Sequence, residues 1–138
     1  MEFDFIPYDF KCNLSKFRRE LLLIGVTYYE RLLVFEHLNK PIDQVLYFPV
    51  TSIELGFNKE EMVSVWILLE KCLVDDLLDT FESHQNKKAT EVIQGEFDKI
   101  ENKLLYRWED DTHLLGIGLR ESINQLFIYF TLKEFSLY

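Results

Sequence analysis

Apolar positions along this chain recur mainly at three- and four-residue spacing, and the longest such stretch runs from Asn58 to Ser83. Placed at helical steps of about 100°, Met62, Trp66, Leu69, Leu73 and Leu77 line the middle of a broad apolar arc. Val65 and Cys72 flank it on one side, and Val63, Ile67, Val74, Leu78 and Phe81 on the other. Glu61, Ser64, Lys71, Asp75, Asp79 and Glu82 form a narrow polar strip. Asn58 is a favourable N-cap, and Glu61 three residues on completes a capping box. The pattern predicts one helix over 59–83, apolar around most of its circumference and therefore the central member of a bundle. It is not a membrane span, because Glu70, Lys71, Asp75, Asp76 and Asp79 interrupt the run of about 20 apolar residues that a span requires.

The same reading predicts further helices. Leu14, Phe17, Leu21, Ile24, Tyr28, Leu32 and Phe35 give a stripe that ends at Asn39 and Pro41. A third helix is expected over about 90–108, with Val92, Phe97, Ile100 and Leu104 inward, and a fourth within 113–138. The last has two apolar faces, which offers a surface for a homodimer through the C-terminal helix. Residues 1–12 alternate aromatic and acidic side chains around Pro7 and are expected to form an extended arm, and 84–89 a polar loop. The fold expected is thus all-α, a single domain over 1–138 with about four main helices.

The competing pattern is β. Val45–Val50 is rich in β-branched and aromatic residues. Leu104–Trp108 and His113–Leu119 suit a hairpin around the acidic turn Glu109-Asp110-Asp111, with Leu126–Leu132 as a further strand. That alternative is α+β with a small C-terminal sheet.

Composition adds function classes to this picture. The net charge is −9, and residues 41–80 carry eight acids against two bases, whereas residues 1–40 carry six of each. An acidic field of this kind disfavours nucleic acid and anionic lipid and favours a basic partner. Aromatic residues make up 15% of the chain, enough for a large core or for contact anchors. Two cysteines, Cys12 and Cys72, form no disulfide framework. The acidic N-terminus has no basic, apolar leader pattern. Both observations imply an intracellular, cytoplasmic protein.

Candidate chemistry is sparse. Asp75-Asp76-Leu77-Leu78-Asp79 resembles the aspartate-rich motif of isoprenyl diphosphate synthases, where carboxylates one turn apart hold Mg²⁺. The resemblance covers five residues, and the second aspartate-rich segment those enzymes need is missing here. Asp110 and His113 would need further metal ligands, for which only His37 and His84 remain as histidines. Gly116-Ile117-Gly118 lacks the third glycine of a dinucleotide loop. Glu70 and Asp76 project toward the apolar arc and would pair with Arg18 or Arg120. No cofactor, metal site or catalytic residue is assigned.

These features favour a non-enzymatic, acidic protein-binding module. The expected form is an immunity- or antitoxin-type inhibitor of a basic effector such as a nuclease toxin, touching it through Asp75, Asp79, Glu82, Glu109, Asp110 and Asp111. A phage-encoded inhibitor of a host defence protein would carry the same features. An oligomeric structural or regulatory subunit is a second class, and a small metal-dependent enzyme a third.

Overall fold

The stretch read as the central helix is a β-strand over Glu61–Leu69 and becomes helical only from Val74. The computed structural model describes residues 1–26, 32–92 and 102–137; residues 27–31, 93–101 and 138, and the side chain of Arg18, lie outside the described set. In chain order the strands are β1 (Leu21–Val26), β2 (Leu33–His37), β3 (Gln44–Val45), β4 (Phe48–Asn58), β5 (Glu61–Leu69), β6 (Thr90–Glu91), β7 (Asn102–Glu109), β8 (His113–Arg120) and β9 (Gln125–Leu132). One α-helix, α1 (Val74–Gln85), follows β5. The strands join in the order β1-β2-β4-β5-β9-β8-β7-β6, with β3 paired to β4, and every described pairing is antiparallel.

β5 lies inside the sheet between β4 and β9, and every residue from Met62 to Leu69 is buried. Side chains of a strand alternate between faces. Here Val65, Ile67 and Leu69 enter the larger apolar cluster, and Trp66 and Leu68 a smaller one on the opposite face. β9 divides in the same way, with Ile128 and Phe130 on one face and Phe127 and Tyr129 on the other. The α1 residues Leu77 and Phe81 and the arm residue Ile6 cover the larger cluster. On the other face a Cβ at Gly116 or Gly118 would collide with Leu104 or with the Phe127 ring, so those positions are filled by neighbours.

The all-α expectation is therefore overturned, and so is the helical bundle. An apolar run covered on both faces has no strand period, and its residues fill a wide arc on any helical wheel. The apparent capping box at Asn58 is a hairpin turn: Asn58 pairs with Glu61 across Lys59 and Glu60, and Lys59 takes φ 57°. Helix begins only at Val74, where the polar-apolar period becomes unambiguous. The second expected helix is replaced by short 3-10 turns at Leu14–Lys16 and Arg18–Glu20 followed by β1 and β2, its residues 27–31, with Tyr28, lying outside the described set. The third is replaced by β6 and β7, its middle falling within the undescribed 93–101. The C-terminal helix, and with it the dimer surface assigned to it, gives way to β8 and β9.

The strand alternative fits in part. β7 and β8 form the hairpin around Glu109–Asp111, β9 is the further strand, and β3 and β4 occupy the Val45–Val50 region. These strands belong to one large sheet spanning most of the chain, not a small C-terminal one.

Residues 1–12 lie across the larger apolar face. The Lys11 N–H donates to the Met62 carbonyl (2.7 Å), and the Met62 N–H to Cys12 (3.0 Å). All three histidines of the chain touch this arm. His84 Nε2 stands 2.9 Å from Asp4, His37 Nδ1 lies 2.6 Å from the Tyr8 hydroxyl, and the His113 ring meets Phe3 and Phe10 at 5.1 and 5.7 Å.

Candidate functional site

α1 is amphipathic in the ordinary way. Leu77, Phe81 and Gln85, spaced by four, are its buried residues. Asp75 and Asp76 stand in the first turn, where carboxylates favour the positive end of the helix dipole. Asn86 ends the helix in the left-handed region at φ 52°, its N–H directed at the carbonyls of Glu82 and Ser83. His84 and Gln85, expected in a polar loop, form the last turn. Gln85 is bonded to the backbone of Glu2 through both ends of its amide.

The outward face of α1 carries Asp75, Asp76 and Asp79. All three are exposed, and none has an ion-pair partner among the described residues. Glu82 is different. Its side chain is only 14% exposed, accepts the Ala89 N–H at 2.8 Å and faces Lys88 at 3.6 Å. It closes the loop after α1.

Beside this face stands the turn between β3 and β4. Val45 pairs with Phe48, leaving Leu46 and Tyr47 as a two-residue loop, with φ of 44° and 74°. Two left-handed residues in such a loop suit Asn and Gly and disfavour bulky side chains. Leu46 packs partly on the core, whereas Tyr47 is 87% exposed. Leu46, Tyr47, Asp79, Thr80, Ser83 and His84 line an open concavity of about 480 Å³. A second, of about 430 Å³, shares Asp79 and Ser83 and continues to Lys88. Together they run from the exposed phenol of Tyr47 past Asp79 and Glu82 to Lys87 and Lys88.

The other acidic set does internal work. Asp110 Oδ1 accepts the N–H groups of Thr112 (2.9 Å) and His113 (2.7 Å) within the β7–β8 turn. Burial pushes the Asp110 carboxyl up, but these bonds and the nearby His113 outweigh it and hold it below the usual aspartate range. Glu109 faces Lys133 at 3.5 Å. Asp111 is exposed, without an ion-pair partner among the described residues. Of the six residues expected to meet a partner, Asp75, Asp79 and Asp111 are thus available, while Glu82, Glu109 and Asp110 are engaged by the chain itself.

Two further expectations change. Glu70 and Asp76, expected to pair with Arg18 or Arg120, are exposed and form no ion pair with Arg120, and the Arg18 side chain lies outside the described set. Among the described residues Arg120 meets the carboxylate of Glu54, which the sequence did not single out. Tyr47 was also missed. No Gly or Asn marks its turn, so nothing in the sequence signals that its side chain faces solvent.

Tyr8, His37 and Glu20 form a second polar constellation. Burial raises the Tyr8 hydroxyl above its ordinary range, with Glu20 and Cys12 adding to the shift. The phenol shares a hydrogen bond with His37 Nδ1, its direction following the histidine tautomer. His37 Nε2 then faces Glu20 at 3.9 Å, too far for a hydrogen bond. Burial lowers the His37 pKa, and Glu20 only partly opposes this. Burial likewise raises the thiols of Cys12 and Cys72, which disfavours the reactive thiolate.

Among the described residues no group of three or more His, Cys, Asp or Glu side chains is placed to hold a metal ion. No described helix is long and apolar enough to cross a membrane. Comparison with protein-family models, with curated proteins and with solved structures returns no match for this chain.

Proposed function

We propose that this chain is an acidic protein-binding module that docks a basic protein through Tyr47 and the outward carboxylates of α1. The observation that carries the reading is Tyr47, a bulky residue held at φ 74° and 87% exposed beside Asp79. A side chain displayed at the cost of backbone strain directs attention to what it contacts. Tyrosine is among the residues that most often dominate binding energy at interfaces, and the unpaired Asp79 carboxylate beside it, with Asp75 and Asp76 further along the outward face of α1, supplies complementary charge for a cationic surface. An inhibitor of the immunity or antitoxin type, cytoplasmic and neutralising a basic effector by direct contact, is the form of this function that the −9 net charge favours.

The test is affinity capture from the cells that make the protein, using the wild-type chain, Tyr47→Ala, and the triple variant Asp75→Asn/Asp76→Asn/Asp79→Asn. The wild type should retain a basic protein at low ionic strength, and each variant should retain about tenfold less or lower, as expected for loss of a hot-spot side chain. Equal capture of that protein by all three chains would refute this surface. Absence of any specifically retained basic protein would refute the function.

A further inference from the structure

We infer that residues 1–12 form a pH-sensitive strap whose middle, around Tyr8, lifts from the sheet when His37 takes up a proton, while both ends stay docked. The chain has three histidines, and all of them bear on this one segment. Histidine is the side chain whose charge ordinarily changes between about pH 5 and 8. The strap covers the larger apolar cluster with Ile6, which is 8% exposed, and with Phe5, Tyr8 and Phe10 packed against it. Its contacts with the three imidazoles differ in kind, and that difference sets what acid does to each part.

His37 holds the middle. Its side chain is 6% exposed, with the Tyr8 hydroxyl at Nδ1 (2.6 Å) and the Phe17 ring edge-on at 5.4 Å. Nε2 is buried and has no hydrogen-bond partner among the described residues. The titratable groups that face this ring are Tyr8 from the strap and Glu20 from the second 3-10 turn. Glu20 stands 3.9 Å from Nε2 and already receives Asn39 Nδ2. A proton added to the neutral ring puts a cation here with an N–H that reaches no acceptor, and burying an incompletely bonded charge is costly. Lifting Tyr8 opens the imidazole to water and removes that cost, so proton uptake and lifting favour each other.

The ends respond the other way. His84 Nε2 is 2.9 Å from Asp4, so a proton there completes an ion pair, and Gln85 bonds the Glu2 backbone beside it. The His113 ring lies stacked on Phe10, near Phe3, and 3.8 Å from Asp110, so a positive charge there faces a carboxylate and aromatic π surfaces. The backbone bonds that Lys11 and Cys12 share with Met62 contain no titratable atom. Acid therefore leaves residues 2–4 and 10–12 seated and frees Ile6, Pro7 and Tyr8 between them, uncovering part of the larger apolar cluster. This inference does not depend on the proposed function.

The test follows the NMR signals of the Ile6 methyl and the His37 imidazole in one sample of the wild-type chain between about pH 7.5 and 5. The methyls of Ile53 and Ile67, both fully buried, report whether the rest of the fold stays intact. The lifted fraction read from Ile6 should rise with the same midpoint as the His37 titration, by about threefold or more in all and by no more than about tenfold per pH unit, the limit for one proton. The change should vanish in His37→Gln and persist in His84→Gln. An Ile6 signal that stays constant across this range, or one whose midpoint differs from that of His37, would overturn the inference. So would an undiminished change in folded His37→Gln, or its loss in folded His84→Gln. The wild-type comparison decides the matter even if a variant fails to fold.

Discussion

The carboxylate of Glu54 and the guanidinium of Arg120 meet in a two-pronged ion pair, with Nη1 and Nη2 each 2.9 Å from a carboxylate oxygen, although β5 and β9 lie between their strands. In a flat sheet such strands would stand about 14 Å apart, three times the spacing of neighbouring strands. The contact therefore ties β4 to β8 across the two strands that lie between them. Asn102 completes the arrangement by accepting from Arg120 Nε at 2.8 Å.

Removing one member of this pair takes a two-pronged partner from a charge in a largely dry site, since the side chains are only 10% and 18% exposed. Glu54→Gln or Arg120→Met should each lower unfolding stability by about 3–5 kcal/mol. The double variant Glu54→Leu/Arg120→Met should lose much less than the sum. Urea unfolding of the three proteins gives the comparison, and additive losses would show that the two groups act separately.

His37 makes stability depend on pH in a definite direction. Its folded pKa lies below the ordinary imidazole value of about 6.5. The unfolded chain therefore takes up a proton first as pH falls. The stabilisation is present above that value and is lost as pH drops through it toward the folded pKa. The melting temperature of the wild type should fall between about pH 7.5 and 5.5, more steeply than that of His37→Gln, which keeps a polar partner for Tyr8 but does not titrate. Parallel pH profiles for the two proteins would remove His37 as the cause.

The turn at Leu46–Tyr47 should show opposing effects on stability and binding. Tyr47→Gly removes a side chain with almost no packing and relieves a left-handed backbone. It should stabilise the fold by about 1 kcal/mol while abolishing partner capture. A gain in melting temperature with retained binding would mean that the phenol is not the anchor.

What the sequence disclosed follows from how each segment is buried. α1 was legible from Val74 to Ser83, because Leu77 and Phe81 face the core while Asp75 and Asp79 face solvent, and its last two residues were read as loop. The β7–β8 hairpin was legible as an alternative through its acidic turn, and β9 through its aromatic and β-branched residues. β5 was not, since Met62–Leu69 is covered on both faces and loses the alternation that marks a strand. For the candidate site, the acidic excess in 41–80 was visible in the composition. The split between free carboxylates (Asp75, Asp79, Asp111) and engaged ones (Glu82, Glu109, Asp110) was not, because it depends on loop amides and lysines brought in by the fold. The Glu54–Arg120 pair spans 66 residues of sequence and has no local signature.

The most direct measurement of the central claim is the association rate of the captured basic protein with the wild type and with Asp75→Asn/Asp76→Asn/Asp79→Asn, across ionic strength from about 0.05 to 0.5 M. Over that range the reach of exposed charges shrinks below about 10 Å, so steering by the α1 face is switched off. The wild-type rate should fall steeply with salt, and the variant should start slower and change little. Identical rates and identical salt slopes for the two proteins would contradict docking through the acidic face of α1.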